Sequence, residues 1–267
     1  MSVLENRVPS KKNPVALTIA GVDSIGGAGV AVDLAAFAKL GVAGRCVVTA
    51  LTAQSQRAVL GVQGTRPAMV LKQLEAVFAE GQPKAAKCGM LFSGGVVEAV
   101  AEFWQGRRVP LVVDPVLAAS SGGRLLNAAG GRALRRRLLP LAKLVTPNVP
   151  EAEALTGLRI REPEEMRAAA RALFEKYGCA AVVTGGHLPG KEVVEIFYDG
   201  REELLLVSKR VKGGPWRGTG CRFSAAVAAA LANGERLVES LRLAKKLVAD
   251  WILANSDQLK QEVKAKL

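Results

Sequence analysis

From Pro14 onwards, short apolar runs rich in β-branched residues alternate with longer stretches in which apolar residues recur at helical spacing. The short runs have the length and composition of buried strands, and the longer stretches have those of amphipathic helices. Strands are predicted at residues 15–20, 45–52, 85–90, 111–114, 144–146 and 179–184. Such alternation is typical of βαβ units, so the sequence predicts an α/β fold with a mostly parallel sheet.

Helices are predicted between these strands, and several of their boundaries have a local signal. Pro67 suits the first turn of a helix, and Gly41 follows another helix as a C-terminal cap does. The predicted helices cover residues 28–40, 94–105, 150–155, 163–177 and 237–255, and one more begins at Pro67. Residues 61–66 fit either a turn or a short strand, whereas residues 193–198 and 204–209 flank an Asp-Gly turn and predict an antiparallel hairpin.

The pattern continues without an internal repeat or a low-complexity linker, so we expect one domain at residues 15–255. Residues 1–14 are polar and are interpreted as an N-terminal extension. Residues 256–267 are interpreted as a charged C-terminal tail that either extends the last helix or frays.

The stretch from Gly218 to Cys221 precedes an Ala-rich segment of high helix propensity. The first N–H groups of a helix have no partner within it and carry the positive end of its dipole, so a helix that opens at Gly218-Thr219-Gly220-Cys221 can hold a phosphate. We expect the same dipole to favour the thiolate of Cys221, which could then accept a proton. The alternative is an ordinary loop followed by a buried packing cysteine.

A second Gly-rich stretch, residues 21–29, follows the first predicted strand. Loops at the carboxyl ends of parallel strands bind ligands in open α/β folds. The spacing does not fit the G-x-G-x-x-G fingerprint, which disfavours NAD, but it allows a small ligand to approach the backbone. Asp33 lies further along the following helix, where it either contacts that ligand or belongs to a solvated face.

Two polar residues end predicted strands. The amide of Gln54 can donate and accept at once, which suits a heteroaromatic ring with adjacent amino and ring-nitrogen groups, although an exposed loop glutamine would look the same. Asp114 ends an apolar strand, where a carboxylate is rarely a packing residue. His187 beside two glycines is equally compatible with a ligand contact and with a loop histidine.

Asn148 and Glu151 are spaced as the N-cap and third residue of the helix that follows. This spacing is that of a capping box, in which each side chain bonds the other residue's backbone. The alternative is a set of hard oxygen ligands that, together with Asp114, holds Mg²⁺ beside the phosphates of a substrate.

The chain has a formal net charge of +13, but its basic residues are scattered apart from clusters at 135–137 and 209–212. The first cluster is interpreted as a solvated helix face. Aromatic residues make up only 4% of the chain and are not interleaved with the basic ones, so we expect no nucleic-acid partner.

The four cysteines form no C-x-x-C pair, and there is one histidine, which argues against a disulfide framework and a structural zinc site. No apolar run has the length needed to cross a bilayer, and the first residues lack the apolar core of a signal peptide. We therefore expect no membrane association and a cytoplasmic location.

Several strand-end motifs occur together in one order. They comprise Gly21 with Gly26-Gly27-Ala28-Gly29, Thr49-Ala50-Leu51-Thr52-Ala53-Gln54, Asp114-Pro115-Val116, Thr146-Pro147-Asn148-Val149-Pro150-Glu151, Gly185-Gly186-His187 and Gly218-Thr219-Gly220-Cys221. In this order and spacing, the chain resembles the hydroxymethylpyrimidine/phosphomethylpyrimidine kinases of thiamine biosynthesis, in the ribokinase-like superfamily. The Cys of Gly-Thr-Gly-Cys distinguishes this branch from the sugar kinases, which have Asp there.

The resemblance implies a three-layer ribokinase-like fold with helices on both faces of the sheet. It also implies transfer of the γ-phosphoryl of MgATP to 4-amino-5-hydroxymethyl-2-methylpyrimidine and to its monophosphate, by an enzyme that is often a homodimer. The implied roles are catalysis by Gly218, Thr219, Gly220 and Cys221, with Cys221 as the base; substrate binding by Gln54, Gly21, Ala28, Asp33, Met90 and Val116; nucleotide and phosphate binding by Asn148, Thr184, Arg217 and Lys212; and metal binding by Asp114 and Glu151.

The chain departs from the family pattern around the phosphate. Thr184 stands where members usually have Lys, Arg217 where they have His, and the loop at 120–123 lacks the usual Lys and Asp. Arg217 or Lys212 is expected to supply the missing positive charge. Two alternatives stay open, which are a kinase for pyridoxal or pyridoxine and a non-catalytic pyrimidine-binding protein on the same fold.

Overall fold

A computed structural model describes residues 13–55, 58–118, 123, 125–214 and 216–265, with the backbone alone for residues 257–265. A nine-stranded sheet forms its centre, with the strand order β3-β2-β1-β4-β5-β6-β7-β8-β9. The strands are β1 Val15–Asp23, β2 Ala43–Gln54, β3 Val59–Gly64, β4 Ala85–Cys88, β5 Leu111–Val113, β6 Leu144–Val145, β7 Ala180–Thr184, β8 Glu192–Tyr198 and β9 Glu203–Lys209. The six strands from β2 to β7 in this order are parallel, and β3, β8 and β9 each pair antiparallel with their neighbours.

Helices cover both faces of the sheet. They are α1 Gly29–Lys39, α2 Pro67–Ala79, α3 Gly94–Trp104, α4 Ala128–Ala133, α5 Val149–Thr156, α6 Pro163–Tyr177, α7 Thr219–Ala232 and α8 Leu237–Ala265, with a π-helical turn at Leu134–Leu138 and a 3₁₀ turn at Leu139–Leu141. One buried cluster packs α2, α3, the π turn, α5 and α6 against the sheet. A second packs α1, α7 and α8 against the opposite face. The expected three-layer α/β fold is confirmed.

The Ala-rich composition of α7 explains its central place in the second layer. Ala225, Ala226, Ala228 and Ala229 are completely buried, as is Val227. Small side chains let α7 lie close to the sheet, α1 and α8 together, so its first turn is held in a fixed position at the edge of the sheet.

One difference from the predicted elements affects the site. β1 continues to Asp23, because Val22 and Asp23 still pair with β2 after an irregularity at Ala20. The Gly-rich loop therefore begins at Ser24 and not at Gly21. The last helix continues through Ala265, which agrees with the first of the two alternatives given for the tail.

The segment from α4 to the 3₁₀ turn had no predicted bounds, because two adjacent glycines and Pro140 interrupt its helical pattern. Arg136 and Arg137 lie exposed on the π turn, as expected for a solvated helix face, whereas Arg135 is half-buried and bonds the carbonyls of Gly131 and Ala154. No helix in the described part of the chain is long and apolar enough to span a membrane.

Candidate active site

The predicted site residues meet at the carboxyl edge of the parallel strands. The chain leaves β1 to one side through β2 and to the other through β4, so β1 and β4 flank the point at which strand order reverses. Crevices at such points bind ligands in open α/β sheets. The loops after β1, β4, β5 and β6 and the starts of α5 and α7 surround this edge.

The start of α7 packs directly on the Gly-rich loop that follows β1, which is called the first loop below. Gly218 has φ +75°, and a Cβ there would lie 2.2 Å from the carbonyl oxygen of Gly27. Only glycine fits both the left-handed backbone and this close approach. No side chain caps α7, so the amides of Thr219, Gly220 and Cys221 are directed at the crevice without a competing protein acceptor from the cap.

A second close approach joins α1 to β1. Gly29 has φ +62°, and a Cβ there would lie 2.1 Å from the carbonyl oxygen of Gly21. Ala28, which precedes it, is the extended N-cap residue of α1. The sulfur of Cys221 accepts a hydrogen bond from the backbone of Gly29, so the two glycine-rich segments meet at this cysteine.

The surroundings of Cys221 oppose the thiolate that the helix dipole led us to expect. Burial raises the pKa of the Cys221 thiol to about 11, and the positive charge of Lys87, which lowers it, does not compensate. The carboxylates of Asp114 and Asp33 raise it further. Sequence reasoning counted the helix dipole and nearby cations but not the buried carboxylates beneath the thiol.

Asp114 follows β5 and is 6% exposed. Its Oδ2 lies 3.1 Å from the hydroxyl of Ser224 and 4.0 Å from Nζ of Lys87. Burial raises the pKa of Asp114, and the charge of Lys87 opposes that increase. The predicted carboxylate at this edge is therefore held from two sides, by α7 and by β4.

Lys87 was not predicted as a site residue, and its partner Asp33 is not where it was expected. Asp33 is completely buried, so the solvated-face alternative is wrong. Its carboxylate accepts hydrogen bonds from Lys87 at 2.8 and 2.9 Å and from Thr18 at 2.6 Å, so it contacts these two residues instead of the expected substrate. The sequence did contain a signal for Lys87, because a lysine within an otherwise apolar strand is rarely buried without a partner.

The capping interpretation of Asn148 and Glu151 is confirmed. Oδ1 of Asn148 accepts from the Glu151 amide, and Oε2 of Glu151 accepts from the Asn148 amide, both at 3.0 Å. Burial, followed by the charge of Asp114, raises the pKa of Glu151 to about 8. The carboxylates of Glu151 and Asp114 are therefore close enough to repel each other when both are ionised.

These residues fit a Mg²⁺ ion. Asp114 and Glu151 are two buried carboxylates whose mutual repulsion a cation would relieve, and oxygen is the ligand atom that Mg²⁺ prefers. The buried hydroxyl of Thr146, at the end of β6, has no hydrogen-bond partner within the described residues. Mg²⁺ commonly keeps several water molecules and is bound by one or two carboxylates together with substrate phosphates.

An apolar cluster adjoins this polar edge. A buried cluster joins Ala50, Met90 and Leu125, with Val62, Phe92 and Val116 packed against it. A Cβ on Gly21 would lie 3.0 Å from the sulfur of Met90, so Gly21 also borders this cluster. Three of the residues expected to line a substrate pocket, Gly21, Met90 and Val116, are thus brought together.

Gln54 ends β2 beside the first loop. Its backbone N–H bonds the hydroxyl of Ser24 at 3.0 Å, and its side-chain oxygen accepts from Thr52 at 3.3 Å. Arg217 links the same region to α7, since Nη1 donates to the Ser55 carbonyl at 2.8 Å and Nη2 lies 3.3 Å from Oδ2 of Asp23. Asp23 is a contact that sequence reasoning missed.

The remaining predicted residues lie further from these contacts. Thr184 ends β7 and forms a parallel bridge with Asn148, which places it next to the start of α5. Lys212 and His187 are exposed, and neither takes part in the contacts described above. The loop at 120–122 lies outside the described residues.

The chain was compared with known proteins. A family model described as phosphomethylpyrimidine kinase matches residues 23–265. The thiamine biosynthesis bifunctional protein ThiED of Geobacter sulfurreducens is 43% identical over 247 residues, which are 92% of this chain and 50% of that protein. The hydroxymethylpyrimidine/phosphomethylpyrimidine kinase of Rhizobium meliloti is 43% identical over 232 residues, which are 86% of this chain and 87% of that protein. The chain thus spans half of the first relative and most of the second.

Solved structures of two kinds of kinase are similar to this chain. A phosphomethylpyrimidine kinase from Clostridium difficile 630 has a TM-score of 0.80 at 34% identity, covering 90% of this chain and all of that one. The pyridoxal kinase of Staphylococcus aureus, in complex with AMP-PCP and pyridoxal, has a TM-score of 0.81 at 32% identity, covering 89% and 87% of the two chains.

Proposed function

Because the chain belongs to the phosphomethylpyrimidine kinase family, as its motifs predicted, we propose that it transfers the γ-phosphoryl of MgATP to 4-amino-5-hydroxymethyl-2-methylpyrimidine and then to the monophosphate, in thiamine diphosphate biosynthesis. The observation that supports this reaction most strongly is the uncapped start of α7, which packs on the loop after β1 and lies one turn before the contact of Ser224 with Asp114. A phosphoryl group and an aromatic alcohol would meet there. Phosphoryl transfer depends mostly on such positioning and on neutralising spread charge.

The substrate ring would lie against the apolar cluster that includes Met90 and Val116 and is bordered by Gly21. Gln54 would bond its amino and ring-nitrogen groups, and Ala28 would border its hydroxymethyl group. The hydroxymethyl oxygen would attack the γ-phosphorus, the bond from that phosphorus to the bridging oxygen would break, ADP would leave, and the hydroxyl proton would pass to the thiolate form of Cys221. The amides of Gly218 to Cys221 would stabilise the transferring group.

Asp114 and Glu151 would hold Mg²⁺, which would neutralise phosphate charge when bound. Asn148 and Thr184 lie beside each other at the next strand ends and would contact the nucleotide phosphates. Arg217 would supply positive charge near the first loop, and Lys212 would approach the phosphates from the turn before α7. A homodimer and a cytoplasmic location stay predictions.

The reaction is tested by mass spectrometry of products. Purified protein is incubated with MgATP and, separately, the pyrimidine alcohol, its monophosphate and pyridoxal. Mono- and diphosphate of the pyrimidine are expected. Phosphorylation of pyridoxal alone would favour the second candidate function, to which the similarity with the S. aureus pyridoxal kinase points. Pyrimidine binding without any product would indicate a binding protein.

Replacement of the proposed base tests the mechanism. We expect Cys221→Ala to lower kcat by about 10²–10⁴-fold, the usual contribution of a general base, with little change in pyrimidine affinity. Because the pKa of this thiol is about 11, the rate of the unmodified protein should rise with pH between 7 and 9. A pH-rate profile compares the two proteins, and an equal slope in the variant would remove Cys221 from proton transfer.

A further inference from the structure

Lys87 is a cation at the centre of the sheet. It lies in β4, whose residues are otherwise apolar, and its side chain is completely buried. Transfer of an ammonium group into such surroundings is unfavourable unless anions compensate for the lost hydration. Asp33 supplies that compensation, because its Oδ1 lies 2.8 Å from Nζ of Lys87 and its side chain is equally buried. The surroundings of the lysine therefore suit a charged ammonium group.

The Lys87 side chain extends toward the carboxyl edge of the sheet. A Cβ on Gly89 would lie 2.9 Å from Nζ of Lys87, so the glycine leaves open the space that the ammonium group occupies. On one side, Nζ bonds both carboxylate oxygens of Asp33, at 2.8 and 2.9 Å. On the other side it lies 4.0 Å from Oδ2 of Asp114.

Both carboxylate oxygens of Asp33 are bonded within the protein. Its Oδ2 also accepts a hydrogen bond from Thr18 at 2.6 Å, and it is as fully buried as Lys87. Asp114, in contrast, is at the edge of the crevice, where its Oδ2 also lies 3.1 Å from the Ser224 hydroxyl. The lysine thus has two carboxylate neighbours, of which Asp33 anchors it from within the protein and Asp114 lies at the crevice.

We propose that Lys87 is a positioning residue of the phosphoryl-transfer site, which holds the orientation and balances the charge of Asp114 from beneath while Asp33 and Thr18 fix the lysine. This inference rests on the proposed role of Asp114. It also adds a cation to the site besides Arg217, which bonds Ser55 and Asp23.

A second buried ion pair provides a matched control. Lys245 of α8 pairs with Glu195 of β8, their side chains are 12% and 8% exposed, and Nζ of Lys245 also bonds the Val193 carbonyl at 3.1 Å. Glu195 shares this lysine with no second carboxylate among the ion pairs of the described residues. This pair joins a helix to an antiparallel strand and has no connection to Asp114.

The test replaces each pair by neutral side chains of similar shape. Lys87→Met with Asp33→Asn removes the charges and leaves Thr18 an acceptor, and Lys245→Met with Glu195→Gln does the same at the control pair. Neutral replacements of buried ion pairs are often tolerated by the fold. We expect the first double variant to stay folded, to bind the pyrimidine unchanged and to lose about 10- to 100-fold in kcat, while the control pair changes kcat less than about twofold.

Asp114→Asn then separates positioning from stability. If Lys87 acts through Asp114, the Lys87 and Asp33 changes should have little further effect on kcat in the Asp114→Asn background, whereas independent effects would multiply. Multiplying effects, or wild-type kcat in the folded double variant, would overturn the inference. Full activity of Asp114→Asn alone would instead refute the proposed role of Asp114.

A second double variant tests the inference if the first one does not fold. Lys87→Gln with Asp33→Asn retains a hydrogen-bonded pair without charge, and circular dichroism reports its folding. Reduced kcat in this folded variant would support the inference. Failure of both double variants to fold would assign the pair to stability alone and would overturn it.

Discussion

Two helices begin at the same edge of the sheet, and their first turns are built in opposite ways. In α5 the first amides are bonded by the protein itself, through the reciprocal contacts of Asn148 and Glu151 at 3.0 Å. In α7 the first residue is preceded by Gly218 with φ +75°, and no side chain caps the helix. The first arrangement satisfies the helix, and the second leaves it able to bind an anion.

The difference shows how one structural element serves two purposes. A capped start is worth about 1 kcal/mol of stability, which α7 forgoes. The position of α7 is instead secured by burial of its alanines and by the contact of Gly218 with Gly27. At α5 the cap itself carries a cost, because Glu151 is buried near Asp114.

The largest effect is expected from closing the open helix start. Gly218→Val would require a β-branched residue at φ +75° and place its Cβ 2.2 Å from the Gly27 carbonyl, so the loop must move. Since the amides of this turn would no longer be aligned, we expect kcat to fall by about 10²–10³-fold, as after loss of an oxyanion-hole donor. Steady-state kinetics with the pyrimidine alcohol measure this change.

A glycine of α5 serves as the control. Gly157 ends that helix with φ +84°, and a Cβ there would meet nothing within 4 Å. Gly157→Ala should therefore lower stability by about 1 kcal/mol through backbone strain and leave kcat unchanged. Equal loss of kcat in both variants would mean that backbone strain, and not the open start of α7, accounts for the effect.

The next effect concerns the charge in the α5 cap. The pKa of Glu151 is about 8 in the folded protein and near 4.5 when the side chain is unperturbed. The folded state favours the protonated acid. The contribution of Glu151 to the free energy of unfolding is therefore greatest below about pH 4.5 and is lost as pH rises toward 8. Glu151→Gln keeps an acceptor for the Asn148 amide but has no charge, so we expect its melting temperature to decline less between pH 5 and 8.5.

Thermal unfolding across this pH range measures the difference, which should exceed about 1 kcal/mol, the free energy of one pKa unit. Addition of Mg²⁺ at pH 8 should stabilise the unmodified protein more than the variant, because an ion held by Asp114 and Glu151 relieves their repulsion. Identical pH profiles would show that the carboxylate of Glu151 is not strained by burial.

The sequence predicted those parts of the site that depend on local backbone geometry. Gly218, Asn148 and Glu151 were identified because their spacing defines how a helix begins. The pairing of Lys87 with Asp33 could not be predicted in this way, since it joins residues 54 positions apart through the packing of α1 on β1 and the pairing of β1 with β4. The raised pKa of Cys221 depends on the same packing, because it reflects burial and carboxylates from other elements.

The smallest expected effect separates the two roles proposed for Asn148. Its side chain caps α5, and its bridge to Thr184 places it beside the next strand end, where a nucleotide phosphate would lie. Serine caps helices about as well as asparagine, so Asn148→Ser should change stability by no more than a few tenths of a kcal/mol. Its shorter side chain retains the acceptor for the Glu151 amide but loses the amide donors. We therefore expect Kd for MgATP, measured calorimetrically, to rise about three- to tenfold, the value of one hydrogen bond. An unchanged Kd together with unchanged stability would leave Asn148 a cap alone, and the phosphates would then depend on the open turn of α7.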